Sequence, residues 1–234
     1  MRVLVTGDRG FSEEGTHQIE SIPVLEYHRL ALDPTVLERL LAFPVGWIIF
    51  PSARAVRFWA DTLLEAGVQF PLETQVACMG EQTADTAAQD GFNPDFYPTE
   101  PGTEGFLQEF KELVACNSVK PSVFIPMAQG GRKTLANELA GWGCSVEVAA
   151  LYRTTPRAGL ASVLTPQVLG DYQAVVFTSP SSFDAFRQVL PVPKHLQVIA
   201  IGSYTADHLA QRGLEGFAKL PESRLDRISE VLLD

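Results

Sequence analysis

Short, almost continuously apolar runs alternate along this chain with segments whose apolar positions recur every three or four residues. The runs lie at 2–6, 24–29, 47–50, 75–79, 122–126, 145–149, 173–178 and 197–201. Runs of that length without polar alternation predict parallel strands covered on both faces. Between them, AVRFWADTLLEAG (55–67), TADTAAQDG (83–91), TEGFLQEFKELVA (103–115), GGRKTLANELAGWG (130–143) and TADHLAQRG (205–213) carry a helical period. Several stop at a glycine (Gly67, Gly91, Gly213), the usual residue just past a helix end. Alternating strands and helices with short connections predict βαβ units in an open, doubly wound α/β sheet.

The pattern also repeats. WIIFPSARAVRFW (47–59) and AVVFTSPSSFDAF (174–186) each run from an apolar strand through Phe to a serine and then a helix. ACMGEQTADTAAQDGF (77–92) is answered by AIGSYTADHLAQRGLEGF (200–217), and VLVTGDRG (3–10) by VFIPMAQGG (123–131). The last two lead into the second strands expected within IPVLEYHRL (22–30) and SVEVAALYRT (145–154). Two copies of one α/β unit, each of about five strands, follow from this. The copies need not be consecutive. The N-terminal strand pair has no serine-tipped partner before the C-terminal half, whereas the middle of the chain holds a full set. We therefore expect one discontinuous lobe from 1–30 plus 155–234 and an inserted lobe at 34–150. The connectors fall near 28–34 and 150–156, in YHRLALDP and LYRTTPRA, forming a two-stranded hinge with a cleft beside it. FSEEGTHQIE (11–20) leaves room for about two helical turns in the first crossover, and the tail LPESRLDRISEVLLD is expected to form the last helix.

Composition narrows the function. The chain has 234 residues and a formal charge of -10. With no Lys/Arg run to track phosphates, nucleic acid is not an expected partner. No apolar stretch approaches the ~20 residues of a membrane span, and MRVLVTGDRG is too short for a secretion signal. Three scattered cysteines (Cys78, Cys116, Cys144) suggest buried small hydrophobes in a reducing compartment, so a cytoplasmic location is expected. His17, His28, His195 and His208 lie at no metal-ligand spacing. GGRKT lacks the glycine of a phosphate loop, VLVTGDRG lacks the first glycine of a dinucleotide fingerprint, and no serine sits in a G-x-S-x-G elbow. Neither cofactor nor metal is expected. What remains is a set of hydroxyls at strand-to-helix junctions: Ser52, Ser179, Ser181, Ser182, Thr83 and Thr205, with Ser203 beside the last. Any one of them is accounted for as a helix cap. Recurring at strand carboxyl ends, they also suit an anion with several carboxylates. Arg132, Arg153 and Arg54 are the cations nearest that rim, and Tyr152 is an aromatic of the second connector able to donate a proton.

The ordered set FPSARAVRFW, GEQTADTAAQDG, TEGFL, GGRKTLANELAGWGCSVEV, LYRTTP, FTSPSSFDAF and IGSYTADHLAQRG resembles the uroporphyrinogen-III synthase family from about residue 47 to 213. The resemblance implies two α/β lobes joined by a two-stranded connector, with the N-terminal segment in the C-terminal lobe. It also implies cyclisation of hydroxymethylbilane to uroporphyrinogen III, with loss of water and inversion of ring D, without a cofactor. Tyr152 then matches the family's proton-donor candidate, and Thr83 and Thr205 match ligand-contacting hydroxyls. Ser52, Ser179, Ser181, Ser203 and Arg132 are expected as further substrate contacts. A monomer is expected, with transient docking on the upstream hydroxymethylbilane synthase. The first strand departs from the family pattern: Thr6-Gly7-Asp8 stands where Thr-Arg-Pro is usual, and Ala53-Arg54 replaces a small residue and Asn. A two-lobed binder of tetrapyrrole or another polyanion, without turnover, is the competing reading.

Overall fold

The computed structural model describes residues 1–7, 17–42, 46–71, 73–115, 120–221 and 225–232. In chain order, the first half contains β1 (Arg2–Val5), β2 (Gln18–Ser21), β3 (Leu25–Arg29), α1 (Pro34–Ala42), β4 (Trp47–Phe50), α2 (Ala53–Ala66), β5 (Gln75–Cys78), α3 (Glu81–Gln89), β6 (Pro94–Phe96) and α4 (Thr103–Ala115). The second half contains β7 (Ser122–Ala128), α5 (Thr134–Gly141), β8 (Ser145–Pro156), α6 (Leu160–Val163), α7 (Pro166–Leu169), β9 (Ala174–Phe177), α8 (Pro180–Val189), β10 (Gln197–Ala200), α9 (Ser203–Gln211) and β11 (Ala218–Lys219). The chain divides into two compact units, Met1–Tyr27 with Thr154–Asp234 and His28–Arg153, so both crossings fall inside strands, β3 and β8.

The discontinuous unit holds a five-stranded sheet ordered β11-β10-β9-β1-β2, every pair parallel. Successive side chains of a strand point to opposite faces, and the core follows that rule. Leu4, Val175, Phe177, Val198 and Ala200 face one layer with Leu169 of α7, Phe183 and Phe186 of α8 and Leu209 of α9. Val3, Val5, Ala174, Val176 and Ile199 face the other, covered by Leu220 and Ile228. Because both faces are buried, β9 is buried at all four positions, which is why AVVF reads as an unbroken apolar run.

The His28–Arg153 unit carries a six-stranded sheet ordered β3-β8-β7-β4-β5-β6. Trp47, Ile49, Val123 and Ile125 pack on Phe106 and Phe110 of α4 and Leu135 and Leu139 of α5. On the opposite side, Trp59 of α2 meets the Phe124 ring at 5.0 Å and Phe50 meets Phe92 at 5.2 Å. In β8 the residues up to Ala150 pair in step with β7, but Ala128 then pairs with Tyr152, skipping Leu151. This bulge places one extra residue in β8 and turns Tyr152 to the side Leu151 would otherwise take.

Several expectations need correction. β2, β6 and β11 lie outside the eight apolar runs, and each ends its sheet. An edge strand has one neighbour and little apolar surface to cover, so QIES, PDF and AK are partly exposed and carry no apolar signature. The partner of β1 is accordingly β2, not the 22–30 segment, whose strand belongs to the six-stranded sheet. Residues 18–20, expected in the first crossover helix, are strand, and 11–16 lie outside the described residues. The apolar run at 145–149 continues as strand to Pro156. α5 begins at Thr134 rather than at the glycines, since Gly130 has φ 73°. The tail forms a 3-10 segment, Leu225–Glu230, kinked at Arg227, in place of an α-helix.

Candidate functional site

The junctions at the carboxyl ends of β4, β5, β9 and β10 fall into two kinds. α2 and α8 begin with a serine cap: Ser52 Oγ accepts from the Ala55 N–H at 3.2 Å, and Ser179 Oγ accepts from the Ser182 N–H at 3.1 Å. Ser182 completes a reciprocal capping box, its Oγ accepting from the Ser179 N–H at 3.1 Å. It is fully buried and also accepts from Thr6 Oγ1 at 3.1 Å, so Ser182 is the partner of the cap rather than a cap. Ser181 is exposed in the first turn, its hydroxyl 3.2 Å from Ser179 Oγ, and caps nothing.

α3 and α9 are built differently. Their N-caps are Gly80 and Gly202, and neither end has a side-chain cap bond. Thr83 and Thr205 stand three residues further in, so neither is the cap their spacing suggested. Their side chains are 9% and 3% exposed, and neither hydroxyl bonds to the described residues. In the same helix Thr86 Oγ1 donates back to Gln82 O at 3.0 Å, so Thr83 departs from the usual resting place of a helical threonine. First-turn N–H groups lack intrahelical partners, and helical side chains lean toward the N-terminus. Each G-x-x-T end therefore presents first-turn N–H groups that no side chain caps. The two ends differ in charge. α3 has Glu81 in its first turn, whereas α9 has no acid there, and Lys219 Nζ donates to Ser203 Oγ at 3.1 Å. The pairing of Lys219 with Ser203 is not legible in the sequence. Lys219 lies 16 positions from Ser203 on the edge strand β11, which carries no apolar signature.

Tyr152 is 6% exposed on β8. Its ring stacks on Phe58 of α2 at 4.7 Å and 14°, and its hydroxyl lies 3.5 Å from Ser52 Oγ. The Gln129 N–H donates to its carbonyl at 2.7 Å. Of the expected site residues the fold therefore brings Ser52 and Tyr152 together at the carboxyl end of β4, and Ser179 and Ser181 together in the other unit. Arg132 lines a separate pocket of about 160 Å³ with Pro51 and Met79.

The profile described as uroporphyrinogen-III synthase HemD matches residues 9–224. The chain belongs to the uroporphyrinogen-III synthase family. A protein of Methanothermobacter thermautotrophicus provisionally named uroporphyrinogen-III synthase is 29% identical over 178 residues, 71% of this chain and 69% of that one. The crystal structure of uroporphyrinogen-III synthetase from Helicobacter pylori superposes with a TM-score of 0.69 at 21% identity, over 99% of this chain and 98% of that one. A mutant uroporphyrinogen III synthase of the extremely thermophilic bacterium Thermus thermophilus gives 0.62 at 18% identity, over 98% and 96%. At these identities the structural matches show a shared fold. Family membership makes the chain a lyase-class, cyclising enzyme of tetrapyrrole biosynthesis.

Cys78 is a buried free thiol that burial pushes up to about 12, and burial raises Cys144 as well, which disfavours the thiolate at both. Cys116 lies outside the described residues. Among the described residues no three His, Cys, Asp or Glu are grouped to hold a metal ion, and no helix is long and apolar enough to cross a membrane.

Proposed function

We propose that this chain closes hydroxymethylbilane to uroporphyrinogen III and that Tyr152 assists departure of the bilane hydroxyl. The single observation carrying this reading is the Tyr152 phenol, held by stacking on Phe58 with its oxygen 3.5 Å from Ser52 Oγ at a strand carboxyl end. A phenol O–H can donate to the leaving hydroxyl. The C–O bond breaks, water leaves, and the electrophilic methylene carbon is attacked by the substituted carbon of ring D. In the spiro intermediate the bond from that ring-D carbon to its original bridging carbon breaks, and the bridging carbon bonds to the free α-carbon of ring D. The proton lost there restores the phenol, so the macrocycle closes with ring D inverted.

Most of the catalytic demand is conformational. The bilane loses its hydroxyl readily and closes unaided to the symmetric isomer I, so the enzyme has to hold the geometry that leads to isomer III. Every ring carries an acetate and a propionate. Thr83 and Thr205 at helix ends without a side-chain cap, Ser52, Ser179, Ser181 and Ser203 at the rims, and Arg132 are the groups we assign to those carboxylates. We also infer action without a cofactor, as a monomer in the cytoplasm, with transient docking on the enzyme that supplies the bilane.

Freshly made hydroxymethylbilane, given to the purified protein with nothing added, tests the reading. After oxidation and isomer separation, mostly isomer III is expected. Isomer I alone, as in a protein-free control, would leave a fold that binds without turnover.

A further inference from the structure

In the His28–Arg153 unit, the carboxyl ends of β4, β5 and β7 surround a pocket of about 160 Å³. Its walls are Pro51, Met79, Ile125, Met127, Leu135 and Ala136, and its polar groups are Thr103, Arg132 and Thr134. Thr103 opens α4 and Thr134 opens α5, so two helix N-termini meet here, each favouring negative charge. Lys133, at the N-cap of α5, makes no side-chain cap bond. Thr103 is 8% exposed, and its hydroxyl makes no hydrogen bond with the described residues. Thr103 lines the cavity, so its hydroxyl is placed to meet an acceptor from outside. Glu104, the acid in the first turn of α4, is not among the lining residues.

The volume matches about five waters at ~30 Å³ each, far too small for a tetrapyrrole but sufficient for one short side arm. Apolar walls with a hydroxyl, a guanidinium and two helix ends suit a methylene stem carrying a carboxylate head. The geometry points to this pocket as the receptor for one carboxyalkyl arm of the substrate, with Thr103 as the hydroxyl that fixes its head. The assignment rests on the function proposed above and adds a residue and a cavity to it.

The test uses the full chain with hydroxymethylbilane as substrate and uroporphyrinogen III as a binding probe, read by tryptophan fluorescence. Thr103→Val removes the hydroxyl at nearly constant shape, and Ala136→Leu fills the cavity from a good helix-forming position. Each should raise KM and weaken product affinity about tenfold, with kcat changing less, as loss of a hydrogen bond to a charged group implies. Thr103→Ser should stay within about threefold, because it keeps the donor. Thermal melting identifies any variant that fails to fold, and the other variant then carries the result. Isomer III from the wild type, with unchanged KM and product affinity in the folded variants, overturns the pocket assignment alone. Isomer I from the wild type overturns the parent function and this assignment with it.

Discussion

Tyr152 shows how much of the proposed site rests on one residue's register. Its side chain reaches Ser52 because β8 carries one extra residue opposite Met127–Ala128, which turns the phenol toward the rim. We expect Tyr152→Phe to melt like the wild type, since Phe keeps the stacking on Phe58. It should lose about a hundredfold in kcat, the lower end of general-acid contributions. Steady-state kinetics beside a thermal melt check this; an unchanged kcat removes the donor role. Tyr152 itself could be singled out from LYRTTP, but the bulge that aims it could not. A register shift leaves no mark in the apolar pattern of β8.

At the scale of elements, the carboxyl-end helices obey local rules that spacing only half reveals. FPSAR and FTSPSS are true serine caps, whereas GEQT and GSYT are glycine-capped ends with threonine three residues inside. All four look like hydroxyl caps in sequence, and only backbone geometry separates them. The TEGFL segment has an equally local cause. A Cβ at Gly105 would stand 2.2 Å from Glu100 O, so the first turn of α4 can pack on the preceding loop only through glycine. Gly105→Ala should destabilise by about 2 kcal/mol through this overlap, read as a lower urea midpoint. It should also disturb the pocket that α4 opens onto. A wild-type midpoint would mean the loop yields freely.

At the scale of the whole molecule, stability should carry a pH signature from one cluster in the discontinuous unit. Tyr172 Oη donates to Glu20 Oε2 at 2.7 Å, and Arg2 pairs with Oε1 at 2.8 Å. The Tyr172 hydroxyl, with Arg2, holds the Glu20 carboxyl below its ordinary range. Its stabilising contribution is therefore present above the usual carboxylate pKa and is lost as pH falls through the depressed value. Burial, then the bond to Glu20, pushes Tyr172 up to about 12, so its share is complete below ~10 and is lost as pH rises through about 12. Tyr172→Phe should lower the urea midpoint by roughly half a molar at pH 7, and the gap should narrow near pH 3. A gap independent of pH would show that Tyr172 contributes packing alone. Sequence by itself determined the α/β class, the buried central strands and the repeated hydroxyl-tipped junctions. Burial on both faces of a sheet and the helical period write themselves into local apolar spacing. Tertiary structure alone decided the edge strands β2, β6 and β11, the bulge that turns Tyr152, the pairing of Lys219 with Ser203, and the pocket around Thr103. Each depends on backbone register or on residues distant along the chain, and neither leaves a local pattern of side-chain types.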